Sequence, residues 1–151
     1  MSKNILKAEC RLAGNRALIA KSDSGHWTLM DVPESVGGDE GAMHPFEHLF
    51  AALAGCTASD LLYVMQKKRI RVDDLRIEIE AQRAETHPKV AEKIHLHYIV
   101  VGPDISEDAV AKAIDLSQDK YCSVSAMLKA AAEITHSFEV LTPDEAYEKL
   151  N

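Results

Sequence analysis

Three cysteines, Cys10, Cys56 and Cys122, are the residues of this chain best suited to chemistry. A free cysteine serves as a small apolar filler, as a metal ligand or, once deprotonated, as a nucleophile. Cys56 lies in Ala54-Gly55-Cys56-Thr57, where small neighbours leave room for a bulky group or a second chain to approach. Cys122 stands just before an expected helix start. Unpaired backbone N–H groups and the positive dipole end favour a thiolate there, lowering a thiol pKa from ~8.5 by a unit or more. Cys10, with only Arg11 beside it, reads as structural. Cys56 and Cys122 are 66 residues apart, so only the fold can bring them together. Taken one residue at a time, both remain open to plain core packing.

Other constellations are weaker. His44-Pro45-Phe46-Glu47-His48 matches the H-x-x-E-H pattern of zinc hydrolases, with Glu47 as base. Pro45, however, suits the first helical position and makes His44 a cap rather than a helical ligand. No distant third ligand is evident, so the expectation is no metal. His95 and His97 alternate onto one strand face opposite Ile94, Leu96 and Tyr98, which is most simply a wet face. Phe46, Phe50 and Met65 suit either an apolar pocket or ordinary core. Asp60 interrupts an apolar stretch and calls for a partner, because an unpaired buried carboxylate is costly.

The elements that must position these residues follow from periodicity. Asn4 to Ala13 and Arg16 to Ala20 flank the turn signal Gly14-Asn15, and His26 to Val32 reads as a third strand. Pro33 to Met43, rich in glycine and acid, reads as a mobile loop. From Pro45 to about Lys68 runs a helix with almost no polar face before Thr57, the mark of an element covered on all sides. Leu75 to Ala81 and Lys93 to Val100 alternate cleanly, favouring an antiparallel sheet. Ser106 caps a helix reaching about Asp119, and Ser123 opens another that runs through Ile134. Thr135 to Leu141 is a last strand, and Thr142-Pro143-Asp144-Glu145 starts a short final helix. The order is α+β in a single domain, residues 1–151. A central helix needing cover on every side predicts a homodimer.

Composition narrows the classes. The chain has 151 residues, 46% apolar and 27% charged, with 17 basic against 24 acidic residues and a net charge of −7. That balance argues against nucleic-acid binding by counterion release. Asp60 cuts the longest nearly uncharged run, Phe50 to Ser59, well short of the ~20 residues of a membrane span. The opening residues carry no apolar leader, and an odd cysteine number does not make a disulfide scaffold, so a reducing cytoplasm is the expected location.

The segment His44 to Thr57, with its Pro, Glu, alanine-rich helix and Ala-Gly-Cys, resembles the signature of the OsmC/Ohr family. Tyr121-Cys122-Ser123-Val124-Ser125 looks like that family's second cysteine motif, and Ser137 to Val140 fits its ending. The resemblance spans about residues 5 to 141. It implies an intertwined homodimer, antiparallel sheets wrapped around buried central helices, with sites at the subunit interface. It also implies reduction of organic hydroperoxides without metal or organic cofactor. Cys56 would be the peroxidatic thiol and Cys122 the resolving one, reset by an external dithiol. An arginine, Arg16 or as second choice Arg11, would support the thiolate and be held by a glutamate, here Glu47. Two departures place the chain in a less characterised OsmC-like subgroup. Phe46 follows the proline where the peroxidases have glutamate, turning the Glu47 side chain ~100° from that position, and no proline follows Cys122. The Phe46 substitution favours the alternative, a non-catalytic dimer binding a small apolar ligand at the interface.

Overall fold

A computed structural model describes residues 4–150. They form two compact units that divide between Phe50 and Ala51, inside the first α-helix.

In the first unit, three strands, β1 (Ala8–Gly14), β2 (Ala17–Ser22) and β3 (Trp27–Met30), pair in order as an antiparallel sheet. Asn15 takes the left-handed conformation (φ 33°) at the β1–β2 turn, which asparagine tolerates better than most residues. Leu12 on the edge strand β1, and Trp27 and Leu29 on β3, are exposed. Cys10 is exposed too, so it fills no core in the chain by itself. The segment after β3 is tied down rather than mobile. The buried carboxylate of Asp31 accepts the backbone N–H groups of Val32 (2.8 Å), Asp39 (3.3 Å) and Gly41 (2.9 Å). Those N–H groups, Gly41 first, hold the carboxyl below its usual pKa.

Helix α1 (Pro45–Lys67) opens with Pro45 at its first position, and Glu47 reaches back to accept the His44 backbone N–H at 2.9 Å. This is the reciprocal half of a capping box, which satisfies an otherwise orphan donor. By length and composition α1 is apolar enough to cross a membrane, unlike the run judged from sequence. Only Leu53, Thr57, Leu61, Val64 and Met65 of it are buried. Leu62 (43% exposed) and Tyr63 (57%) face outward, so one chain covers a single stripe of a helix expected to be enclosed.

In the second unit β4 (Asp74–Arg83) pairs antiparallel with β5 (Ala91–Val101), and β5 pairs in parallel with β6 (Glu133–Leu141). The parallel pair, unlike the antiparallel pair, needs a crossover. Helix α2 (Glu107–Leu116), a π-helical turn (Ser117–Tyr121) and helix α3 (Ser123–Leu128) provide it. Ser106 caps α2 by accepting the Ala109 N–H. The alternating face Ile94, Leu96, Tyr98, Val100 of β5 is buried, as are Val110 and Ile114 of α2. On the other face Ile99, Val101 and Leu141 pack against Ala146 and Leu150 of α4 (Pro143–Leu150). Two expected boundaries shift. Helix α3 stops at Leu128, six residues early, and β6 starts at Glu133, where pairing with Lys93 begins. Ala130-Ala131-Ala132 form the turn between α3 and β6, with the Ala131 and Ala132 N–H groups donating to the Leu128 carbonyl at 2.9 Å.

Candidate active site

The second unit brings Cys56 and Cys122 together. Their sulfurs and a carboxylate oxygen of Asp60 all lie within 4.8 Å of one another. Cys56 and Asp60 share a face of α1 because they are four residues apart. Cys122 arrives from the other side at the end of the π-helical turn. It caps α3, its Sγ accepting the Ser125 N–H at 3.3 Å. The π turn supplies the extra backbone that sets this approach; such single turns are frequent at functional sites.

The two thiols differ. Cys56 is partly exposed, whereas Cys122 is 2% exposed. Burial pushes the Cys122 thiol from 9.0 up to about 11; the Ser125 N–H opposes this, and Cys56 and Asp60 add to it. The expected lowering at a helix start is therefore reversed: one N–H bond does not offset the loss of water.

Beneath the thiols runs a buried polar array. Thr57 Oγ1 lies 2.8 Å from the Tyr98 hydroxyl and 2.9 Å from Ser117 Oγ. Ser117 Oγ in turn donates to Asp60 Oδ2 at 2.9 Å. This is the partner Asp60 needs. Gln118 Nε2 donates to Tyr98 (3.0 Å) and Thr57 (3.3 Å), and its Oε1 accepts from Ser125 Oγ (2.6 Å). Lys129 Nζ donates to the Gln118 carbonyl at 2.6 Å. Burial raises the Tyr98 pKa, against the hydrogen bonds of Thr57 and Gln118. Among the described residues, no buried side-chain N or O lacks a partner. Thr57 and Asp60 are legible as the polar members of an apolar helix. Tyr98, Ser117, Gln118 and Ser125 have no sequence signal that separates them from surface polarity.

The remaining candidates have contacts of their own. Glu47 and Arg16 belong to the first unit. Glu47 is engaged at the helix cap with His44, whose Nδ1 lies 3.4 Å from its carboxylate. The Arg16 guanidinium lies against Gly37, and among the described residues no ion pair joins it to Glu47. Arg11 pairs with Glu9 (2.8 Å) and lies over the Trp27 ring. His48 Nε2 lies 3.0 Å from Thr28 Oγ1, and its Nδ1 lies 3.2 Å from the His44 carbonyl oxygen. His95 and His97 bracket Ser137 Oγ at 2.9 and 2.8 Å on the half-buried polar face of β5 and β6. Phe46 and Phe50 stack edge to face at 5.2 Å, and Met65 is buried.

Comparison with known proteins identifies the family. Residues 37–137 match the family model described as OsmC-like protein. Protein YhfA of Escherichia coli (strain K12) is 40% identical over 136 residues, covering 90% of this chain and 98% of its own. A crystal structure of a hypothetical protein from Aquifex aeolicus VF5 is 30% identical with a TM-score of 0.81, covering 92% of this chain and 98% of that one. An organic hydroperoxide resistance protein OsmC from Legionella pneumophila shares the fold at 16% identity and TM-score 0.67, over 94% of this chain and 99% of that one. With both cysteine motifs inside or beside one buried polar array and the family model spanning them, the chain belongs to the OsmC-like protein family.

Proposed function

We propose that the chain is a thiol-dependent peroxidase that reduces organic hydroperoxides in a stress response. The observation that carries this reading is the meeting of two sulfurs, 66 residues apart in sequence, within 4.8 Å. In the proposed cycle the partly exposed Cys56 attacks the peroxide. Cys56–SH and ROOH give Cys56–SOH and ROH. Cys122 then displaces the sulfenic oxygen, closing a disulfide and releasing water, the reversible rung of the cysteine oxidation ladder. An external dithiol resets the pair. The division of labour follows exposure. Cys56 is partly exposed, while Cys122 is buried and keeps its proton until an electrophile forms beside it. Named organic hydroperoxide resistance proteins among the fold neighbours, from Legionella pneumophila and Elizabethkingia anophelis, support the same chemistry.

Polarising the peroxide calls for a cation, and Arg16 is the residue proposed for it; loss of turnover in Arg16→Ala tests that role. Glu47 enters as the residue that fixes the start of α1. The functional form is proposed to be a homodimer, since Leu62 and Tyr63 of α1 and Leu12 of β1 lie uncovered in one chain; a reducing cytoplasm is the proposed location. The direct test is steady consumption of t-butyl hydroperoxide with a dithiol reductant. Cys56→Ser is expected to abolish turnover. A Cys56→Ser protein turning over at the parental rate would end this reading and favour the ligand-binding dimer.

A further inference from the structure

Closing the disulfide moves a proton. The S–H bond of Cys122 breaks, a bond forms between the two sulfurs, and the S–O bond of Cys56–SOH breaks. The departing oxygen must gain that proton to leave as water. One sulfur is oxidised as the other is reduced, so no outside oxidant enters. We propose that Asp60 carries this proton, accepting it from Cys122 Sγ and delivering it to the oxygen leaving Cys56. The assignment deepens the peroxidase reading and rests on it.

The placement supports the role. Asp60 is the one carboxylate among the described residues whose oxygen lies within 4.8 Å of both sulfurs. A sulfenic oxygen on Cys56 would enter that gap. Ser117 Oγ donates to Asp60 Oδ2 at 2.9 Å, and Ser117 is itself held by Thr57 at 2.9 Å, so the carboxylate is positioned rather than mobile. The other groups facing the site are poorer carriers. Tyr98 of β5 is fully buried with its hydroxyl bound to Thr57 and Gln118. His136 of β6 packs edge-on against Tyr98 and stands 3.9 Å from Asp115. Lys129 of the α3 end is committed to the Gln118 carbonyl and to Asp119 at 3.6 Å.

Charge alone predicts the opposite outcome, which makes the inference sharp. The negative Asp60 raises the Cys122 pKa. Removing that charge would favour the Cys122 thiolate and speed closure if electrostatics were its only contribution.

The experiment mixes the reduced full-length protein with one equivalent of t-butyl hydroperoxide. Quenched samples are trapped with dimedone and resolved by intact mass into thiol, sulfenic acid and disulfide. In Asp60→Asn the ratio of the closure rate to the first oxidation rate is expected to fall about 10²-fold, the usual worth of a positioned base. Sulfenic acid should accumulate, and closure should steepen with pH as hydroxide takes over the role. Asp60→Glu should recover part of the loss. Ser117→Ala, which leaves the carboxylate but frees it, should slow closure less and serves if Asp60→Asn does not fold. Closure in Asp60→Asn at the parental rate or faster, or an unchanged rate in Ser117→Ala where that variant stands in, overturns the role of Asp60 alone. Absence of Cys56 oxidation in the parental protein overturns the peroxidase reading and this inference with it.

Discussion

The asymmetry between the two thiols is open to direct measurement. Only the thiolate reacts with iodoacetamide. A thiol with a pKa of 9.0 is about 1% ionised at pH 7 by simple titration, and one near 11 is ionised about a hundredfold less. Burial adds to this, since Cys122 is 2% exposed and the reagent must reach it. Cys10 is exposed. In the reduced, folded protein Cys122 should therefore be alkylated at least 10²-fold more slowly than Cys10, with timed quenching and peptide mass analysis as the readout. In denaturant the two should converge, which controls for local sequence. Cys122 modified in the folded protein within a few fold of Cys10 would refute the reasoning. It would mean that the Ser125 N–H and the helix start outweigh burial after all.

Further outcomes follow from the same structure. Tyr98→Phe removes a hydroxyl bound to Thr57 and Gln118, both of which keep other partners. The expected cost is about 1–2 kcal/mol, or a melting shift of roughly 2–8 °C by circular dichroism; no shift would mean the array contributes nothing to folding. Glu47→Ala removes half of the capping box and should cost about 0.5–1 kcal/mol in denaturant unfolding. The reduced protein should lose stability as pH rises from about 9 towards 11. The unfolded Cys122 thiol gives up its proton there while the folded one keeps it. Cys122→Ser should flatten that part of the thermal-melt profile. Light scattering should report a dimer; a monomer at micromolar concentration would leave the outward stripe of α1 unexplained.

Periodicity carried most of the fold. Strict alternation located β4 and β5, and Pro45 and Ser106 marked helix starts, because these signals act over neighbouring residues. The parallel partnership of β6 was not legible, since strand direction depends on a crossover rather than on local pattern. Nor was the single covered stripe of α1, because an all-round apolar helix reads the same whether its cover comes from its own chain or another. At the site, Cys56 and Cys122 stood out by residue type. The rise of the Cys122 pKa was hidden, because helix-start geometry is local while burial is global. Arg16 and Glu47 stand out only through the family resemblance. The Glu47 carboxylate, three residues after His44, accepts the His44 N–H at the helix start.

The π-helical turn at Ser117–Tyr121 has a bearing on engineering and natural drift alike. It acts as a phase adjuster between two rods. One residue more or fewer in this stretch would swing everything downstream by ~100° about the rod axis. The length of this short segment is the setting that keeps the Cys122 sulfur beside that of Cys56.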